Sequence, residues 1–170
     1  MTIPPFSIAA VLGGNSDEEL DFDVDTPASH LEQDDPPLVA NIVFHVRFVS
    51  QGKELQVEVE DLTTKVSTEC SRCGKPCEMP IVLQRVTAFV PIDGFDEDYP
   101  VRIDRKKAEV DLSDWIRVEI FSAMDLFPLC ESECQGRCPT CGYDLNTGPC
   151  ACPPEVVAKP LEALKKYIEK

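Results

Sequence analysis

Histidine is nearly missing from this chain: His30 and His45 are the only two in 170 residues. Both lie far in sequence from any cysteine. That argues against a catalytic zinc site, where histidine or carboxylate ligands usually leave one coordination position open. Basic residues are scarce as well. Sixteen Lys and Arg face 31 Asp and Glu, a formal net charge of -15, which disfavours a broad nucleic-acid-binding face. The deficit is uneven: residues 1–61 hold 2 bases and 13 acids, residues 62–129 hold 9 and 12, and residues 130–170 hold 5 and 6. A small basic patch towards the C-terminal end stays open. No apolar run approaches the roughly 20 residues that cross a bilayer, so no membrane helix is expected. The opening stretch, Met1 to Ala10, has no positively charged region and makes a poor secretory signal.

Cysteine is what the chain has in excess, with nine residues. Disulfides would follow in a secreted protein, but the count is odd and the cysteines fall in close pairs. Metal in a reducing cytoplasm is the better reading. Six of them, Cys130, Cys134, Cys138, Cys141, Cys150 and Cys152, run as C-x3-C-x3-C-x2-C-x8-C-x-C among glycine, proline and asparagine. Such a stretch cannot build a core of its own. Tetrahedral Zn²⁺, at about 2.3 Å per Zn–S bond, can draw it together, so that metal binding stands in for burial.

Elsewhere 43% hydrophobic residues suffice for a real core. Residues 3–12 read as a short strand. Asn15 to Asp35 carries nine acids and no base. Asp21-x-Asp23-x-Asp25 with Glu32 imitates a calcium loop, but Thr26 occupies the glycine position and Pro27 follows, so a solvated acidic loop is expected. Ile42, Phe44, Val46 and Phe48 alternate as one face of a strand. Gln51-Gly52-Lys53 turns the chain into Leu55, Val57 and Val59. The apolar phase then moves to Leu62, Thr64 and Val66, as a bulge near Glu60-Asp61 would require. This strand ends at Cys70, and another over about 78–91 leaves Cys77, so the cysteine turn caps a hairpin. Residues 93–107 read as a charged loop. Asp111 can cap a helix in which Leu112, Trp115, Ile116, Ile120, Ala123, Met124 and Phe127 form the core stripe and Trp115 the anchor. Pro128 stops it. Pro160, Leu161, Leu164 and Ile168 suit a last helix.

Cys138-Pro-Thr-Cys141-Gly142 has the form of a zinc knuckle, and Cys150-x-Cys152 closes it locally with little loop entropy. Cys130 and Cys134 make half a site; Cys70-Ser-Arg-Cys73-Gly74 is the other half. Two four-cysteine sites follow, with Cys77 left over. Swapped pairings are the rival partition. Zinc is the first expectation for the metal and iron, which also takes sets of four thiolates, the second. A thioredoxin-like role for either C-x2-C lacks the βαβ surroundings it needs. Because each site is filled by four thiolates, the metal reads as structural, and no nucleophile–base pair suggests an enzyme.

The stretch from Asp111-Leu112 through Pro128, then Cys130, Cys134-x-Gly136-x-Cys138-Pro139-x-Cys141-Gly142-x-x-Leu145-Asn146 and Cys150-x-Cys152, resembles the YceD-type family, the bacterial and plastid large-ribosomal-RNA-subunit accumulation proteins. Cys70-Ser-Arg72-Cys73 matches the family's upstream C-x-R-C. The resemblance spans residues 38–152. It implies a cytoplasmic, non-enzymatic factor in the synthesis, processing or stability of large-subunit ribosomal RNA, with rRNA, a ribosomal protein or the pre-ribosome as partner. Arg72, Lys75, Arg137, Lys165 and Lys166 could gather near the metal sites and touch phosphates. Alternatively, the acidic body is a zinc-stabilised adaptor that holds a basic ribosomal protein without touching RNA. The expected architecture is α+β: residues 1–37 as N-terminal strand and acidic loop, a β-rich antiparallel core over 38–129 with one packed amphipathic helix at 112–127, a zinc ribbon over 130–153 packed on the core through Cys70 and Cys73, and a helical tail over 154–170.

Overall fold

A long two-stranded arm organises the molecule. In a computed structural model, which describes residues 3–12, 19–28, 37–92 and 101–153, the chain runs as follows. β1 (Phe6–Ser7) leads into a single helical turn, α1 (Ala9–Leu12), then β2 (Glu19–Thr26), β3 (Ile42–Gln51), β4 (Glu54–Glu69) and β5 (Pro76–Pro91). β6 (Arg102–Asp104), β7 (Glu109–Asp111) and α2 (Ser113–Ala123) complete it before a 3-10 turn at Leu145–Thr147. The last four strands of the first group form one antiparallel sheet in the order β2-β3-β4-β5; β1-β7-β6 form a second, small one. The architecture is α+β and strand-rich.

Alternation explains the main sheet. Ile42, Phe44, Val46 and Phe48 of β3 are buried, as are Leu55, Val57 and Val59 of β4. Beyond them the buried set on β4 becomes Leu62, Thr64 and Val66. The register between β3 and β4 shifts between Val43 and His45, opposite Thr63 and Glu60, and Asp61 takes φ 52°. Aspartate tolerates this left-handed geometry better than most residues. The bulge lets β4 keep its apolar side inward over 16 residues. Past it, Val39 donates to the Lys65 carbonyl (2.9 Å) and Ser67 to that of Pro37 (2.7 Å), extending the sheet towards the tip of the β4–β5 hairpin.

Three expectations are corrected. The acidic stretch is not all loop: its middle is β2, paired residue by residue with β3 from Glu19↔Val49 to Thr26↔Ile42. Leu20, Phe22, Val24 and Thr26 turn to the sheet's apolar side, and Asp21, Asp23 and Asp25 turn out. His45 of β3 lies 3.0 Å from both Asp21 and Asp23, and Arg47 donates to Asp21 at 2.8 Å. Phe6, Phe22 and Phe48 meet with ring centroids 5.3–5.9 Å apart, a spacing suited to tilted aromatic packing. Residues 3–12 are only two residues of strand before the chain turns into α1. Residues 102–111 are not a plain charged loop either, since β6 and β7 pair there and Phe6 of β1 pairs with Val110.

The helix is shorter than its stripe. Leu112, Trp115, Ile116 and Ile120 are buried as expected, but α2 stops at Ala123 and Phe127 is 73% exposed. Asp111 ends β7 and accepts the Ser113 N–H (2.8 Å), so the helix starts one residue later than a cap at Asp111 would give. Asp125 accepts the Phe127 N–H (3.0 Å), a local turn that competes with continuing the helix. The Trp115 indole donates to Glu119 (2.9 Å) within the packed face. No helix among the described residues is long and apolar enough to cross a membrane. The helix expected after Pro160 lies outside the described residues.

Candidate metal centres

The tip of the β4–β5 hairpin is a tight turn. Cys70 N–H donates to the Lys75 carbonyl (2.9 Å) and Gly74 N–H to that of Cys70 (2.8 Å), with Gly74 at φ 68°. Glycine reaches such a conformation without Cβ strain. Sixty-eight residues on, Gly142 N–H donates to the Cys138 carbonyl at the same 2.8 Å, with Gly142 at φ 72°. The two C-x2-C-G segments are therefore the same turn used twice. Each points a pair of thiols the same way and leaves backbone amides beside the sulfurs.

The segment after α2 is tied to the first turn by Ser71 N–H to the Pro128 carbonyl (2.8 Å). This brings Cys130 and Cys134 over the hairpin. Cys70 Sγ lies 3.7 Å from Cys134 Sγ, and Cys73 Sγ 3.6 Å from Cys130 Sγ. Sulfurs on a tetrahedron with bonds of about 2.3 Å would stand roughly 3.8 Å apart. Cys70, Cys73, Cys130 and Cys134 form one group with all sulfurs within 4.8 Å, and Cys138, Cys141, Cys150 and Cys152 form the other. The structure thus gathers the two foursomes that the spacing pairs. Cys77 belongs to neither; it packs, half-buried, against the first.

The ionisation pattern fits a cation in each set. The Cys130 backbone amide, opposed by burial and helped by those of Cys73 and Arg72, draws the Cys70 thiol down to about 6. The amide of Cys141, and then that of Thr140, does the same for Cys138, also to about 6. At the other extreme, burial and then the neighbouring thiols push Cys130 up to about 12, and Cys141 together with burial pushes Cys152 to about 12. In each set one thiol is drawn towards ionisation by backbone amides, while another is held protonated by burial and by its neighbouring thiols. A divalent cation would remove that conflict, releasing protons as it binds.

Three of the cations expected on a surface patch are spent inward. Arg72 Nη1 donates to the Cys134 carbonyl (2.8 Å), and Arg137 Nε to the Cys73 carbonyl (2.6 Å). Each arginine thus reaches across the joint to the backbone of a cysteine on the other side. Lys75 pairs with Asp144 at 2.6 Å, and that ammonium, with the Asn146 amides, holds the Asp144 carboxyl down at about 2. Lys165 and Lys166 lie outside the described residues. Gly136, at φ 77°, passes so close to the hairpin that a Cβ there would stand 3.0 Å from the Arg72 carbonyl oxygen. The sequence reading passed over Asp144 and quoted Asn146 only within the family motif, with no role for either. Asn146 Nδ2 donates to Cys134 Sγ at 3.6 Å.

A β-hairpin tip and a cysteine ribbon share one four-thiol set, and the ribbon closes a second on itself; each set could hold a metal ion. Residues 60–167 match the family described as large ribosomal RNA subunit accumulation protein YceD, and the chain belongs to that family. The match takes in both C-x2-C turns, α2 and the whole ribbon. No curated protein and no solved structure matches the chain.

Proposed function

We propose that this protein is a non-enzymatic factor promoting the accumulation of large-subunit (23S) ribosomal RNA, by supporting its synthesis, processing or stability during ribosome assembly in the cytoplasm. Family membership over residues 60–167 is the observation that carries this reading. Cys70, Cys73, Cys130 and Cys134 would hold one Zn²⁺, and Cys138, Cys141, Cys150 and Cys152 a second. Four thiolates per ion supply structural cross-linking and leave no open position for substrate. Iron is the alternative occupant of the same donor set.

Between direct RNA contact and a protein partner, the inward engagement of Arg72, Lys75 and Arg137 supports the second. Among the described residues these side chains bind within or against the ribbon, and phosphate contact would have to break their bonds to backbone and carboxylate. The net charge of -15 supports the same route: an acidic body suits a basic ribosomal protein held before it joins the pre-ribosome. The decisive experiment has two arms. Cells lacking the protein should show a lowered ratio of large- to small-subunit rRNA, restored by the wild-type chain; an unchanged ratio rejects the function. Binding to naked large-subunit rRNA fragments should be weak and nearly independent of salt. Tight binding that falls steeply with salt would mean phosphate contacts and would favour the RNA-binding route.

A further inference from the structure

We propose that the two thiol sets take up metal as a coupled pair, with Asn146 as the positioning residue that transmits occupancy of the second set to the first. This rests on reading both sets as zinc sites. It starts from how little else orders the ribbon: among residues 139–153 not one is buried. The segment between Cys141 and Cys150 has no apolar core, so its conformation depends on having its two ends fixed. Those ends are the ligand pairs of the second set.

That same segment completes the surroundings of the first set. Asn146 Oδ1 accepts the Gln135 N–H (2.7 Å), which fixes which way round the amide lies. Its Nδ2 can then donate one hydrogen to Cys134 Sγ (3.6 Å) and the other to Asp144 Oδ1 (2.7 Å). Its backbone N–H also goes to Asp144 Oδ1 (3.0 Å). Asp144 in turn holds Lys75 on the hairpin tip, and Leu145 N–H bonds the Gly136 carbonyl (2.9 Å), next to Arg137. Every polar atom of the Asn146 side chain is thereby engaged with either the first set or a residue fixed to it.

An N–H donor aimed at a ligand sulfur favours the thiolate and orients it. When the second set is open, residues 142–149 lose the fixing of both ends and keep only the hydrogen bonds and ion pair in between, Asn146 is held less firmly on Cys134, and the first set binds metal less tightly. Linkage makes the effect reciprocal: filling the first set favours filling the second. Aspartate at 146 is the same size but puts a carboxylate where the donor was, so it should act more severely than alanine.

The test reads each set separately. The full-length chain is equilibrated in buffered free zinc, pulse-alkylated, and the cysteines quantified peptide by peptide. Protection of Cys70, Cys73, Cys130 and Cys134 then reports the first set alone. With Cys150→Ser/Cys152→Ser, the free zinc giving half-protection of the first set should rise on the order of tenfold. Asn146→Ala should raise it by a similar factor with Cys138 and Cys141 still protected, and Asn146→Asp by more. Combining Asn146→Ala with the double serine change should add little to either, because both break the same link. A shift below about twofold in the double-serine variant, or full additivity in the combination, would overturn the coupling. If neither set of the wild-type chain is protected at any zinc concentration, the metal reading itself falls, and this inference with it.

Discussion

In the four-stranded sheet Phe48, Leu55, Val57, Leu62 and Val66 are all at or near zero exposure, whereas over residues 130–153 only Cys134, Gly136 and Cys138 are buried. The sheet excludes water with apolar side chains in alternation. The ribbon has almost nothing to exclude water with, and its polypeptide is arranged around sulfur. The first thiol set sits on the boundary, drawing two ligands from the hairpin tip and two from the ribbon. On the proposed metal reading, one part of this molecule is held by burial, the other by coordination, and the joint between them uses both. Perturbing one mode should leave the other standing.

Removing metal should act most strongly. Chelation, or Cys70→Ser, takes away a contribution on the order of 10 kcal/mol at the affected site. It should release the ribbon from the hairpin while β2–β5 persist. Amide hydrogen exchange checks this: protection lost at Ser71 and at residues 134–148 but kept in β3 would agree, and loss throughout would mean that the sheet also depends on the metal.

The converse perturbation is Phe48→Ala. Emptying that position, which Phe6 and Phe22 both touch, should cost about 3–5 kcal/mol in chemical denaturation and leave bound zinc per chain unchanged. Zinc loss in the folded variant would show that sheet and ribbon are not separate.

Two glycines sharpen the comparison within the ribbon. Alanine at Gly136 or Gly142 is strained by the left-handed backbone, roughly 1–2 kcal/mol each. Only at Gly136 does the new Cβ meet backbone, the Arg72 carbonyl at 3.0 Å; at Gly142 nothing lies within 4 Å. Gly136→Ala should therefore lower the melting temperature further than Gly142→Ala and loosen zinc in the first set. Equal effects would mean that the approach of ribbon to hairpin is not tight.

The smallest effect belongs to the sheet. Hydrogen bonds to Asp23 and then Asp21 raise the His45 pKa above 6.5. A raised folded value means that protonated His45 stabilises the pairing of β2 with β3 fully below about pH 6.5, and that this contribution is lost as pH rises through the folded value. The gap in melting temperature between wild type and His45→Gln should be widest near pH 6 and narrow by about pH 9. A gap that widens with pH would reverse the sign and reject the clasp.

Much of this was legible in the residues themselves. The even-numbered run Ile42 to Phe48, the odd run Leu55 to Val59 and the later even run give β3, β4 and the bulge between their phases. The cysteine spacing suggests the foursomes, one closing locally and the other joining the two remaining half-sites, but swapped pairings stay open until the fold brings the sulfurs together. β2 escaped because its outward positions are all acidic, Glu19 and three aspartates, and the density of charge hid the alternation of Leu20, Phe22 and Val24. β6 and β7, of three residues each, have no periodicity to display and exist through pairing with one another and with β1. Arg72 and Arg137 look like surface cations until the ribbon closes; the carbonyls they bind, of Cys134 and Cys73, lie more than 60 residues away. Asn146 was invisible for the same reason, since its partner sulfur is defined only by the fold.

The most direct measurement is zinc content together with thiol reactivity on the purified chain. Two zincs per chain, with Cys77 alone of the nine thiols reacting before chelation and all nine after it, is the expected result. Four or more thiols reacting in the untreated protein would contradict coordination as the force that holds the ribbon to the sheet.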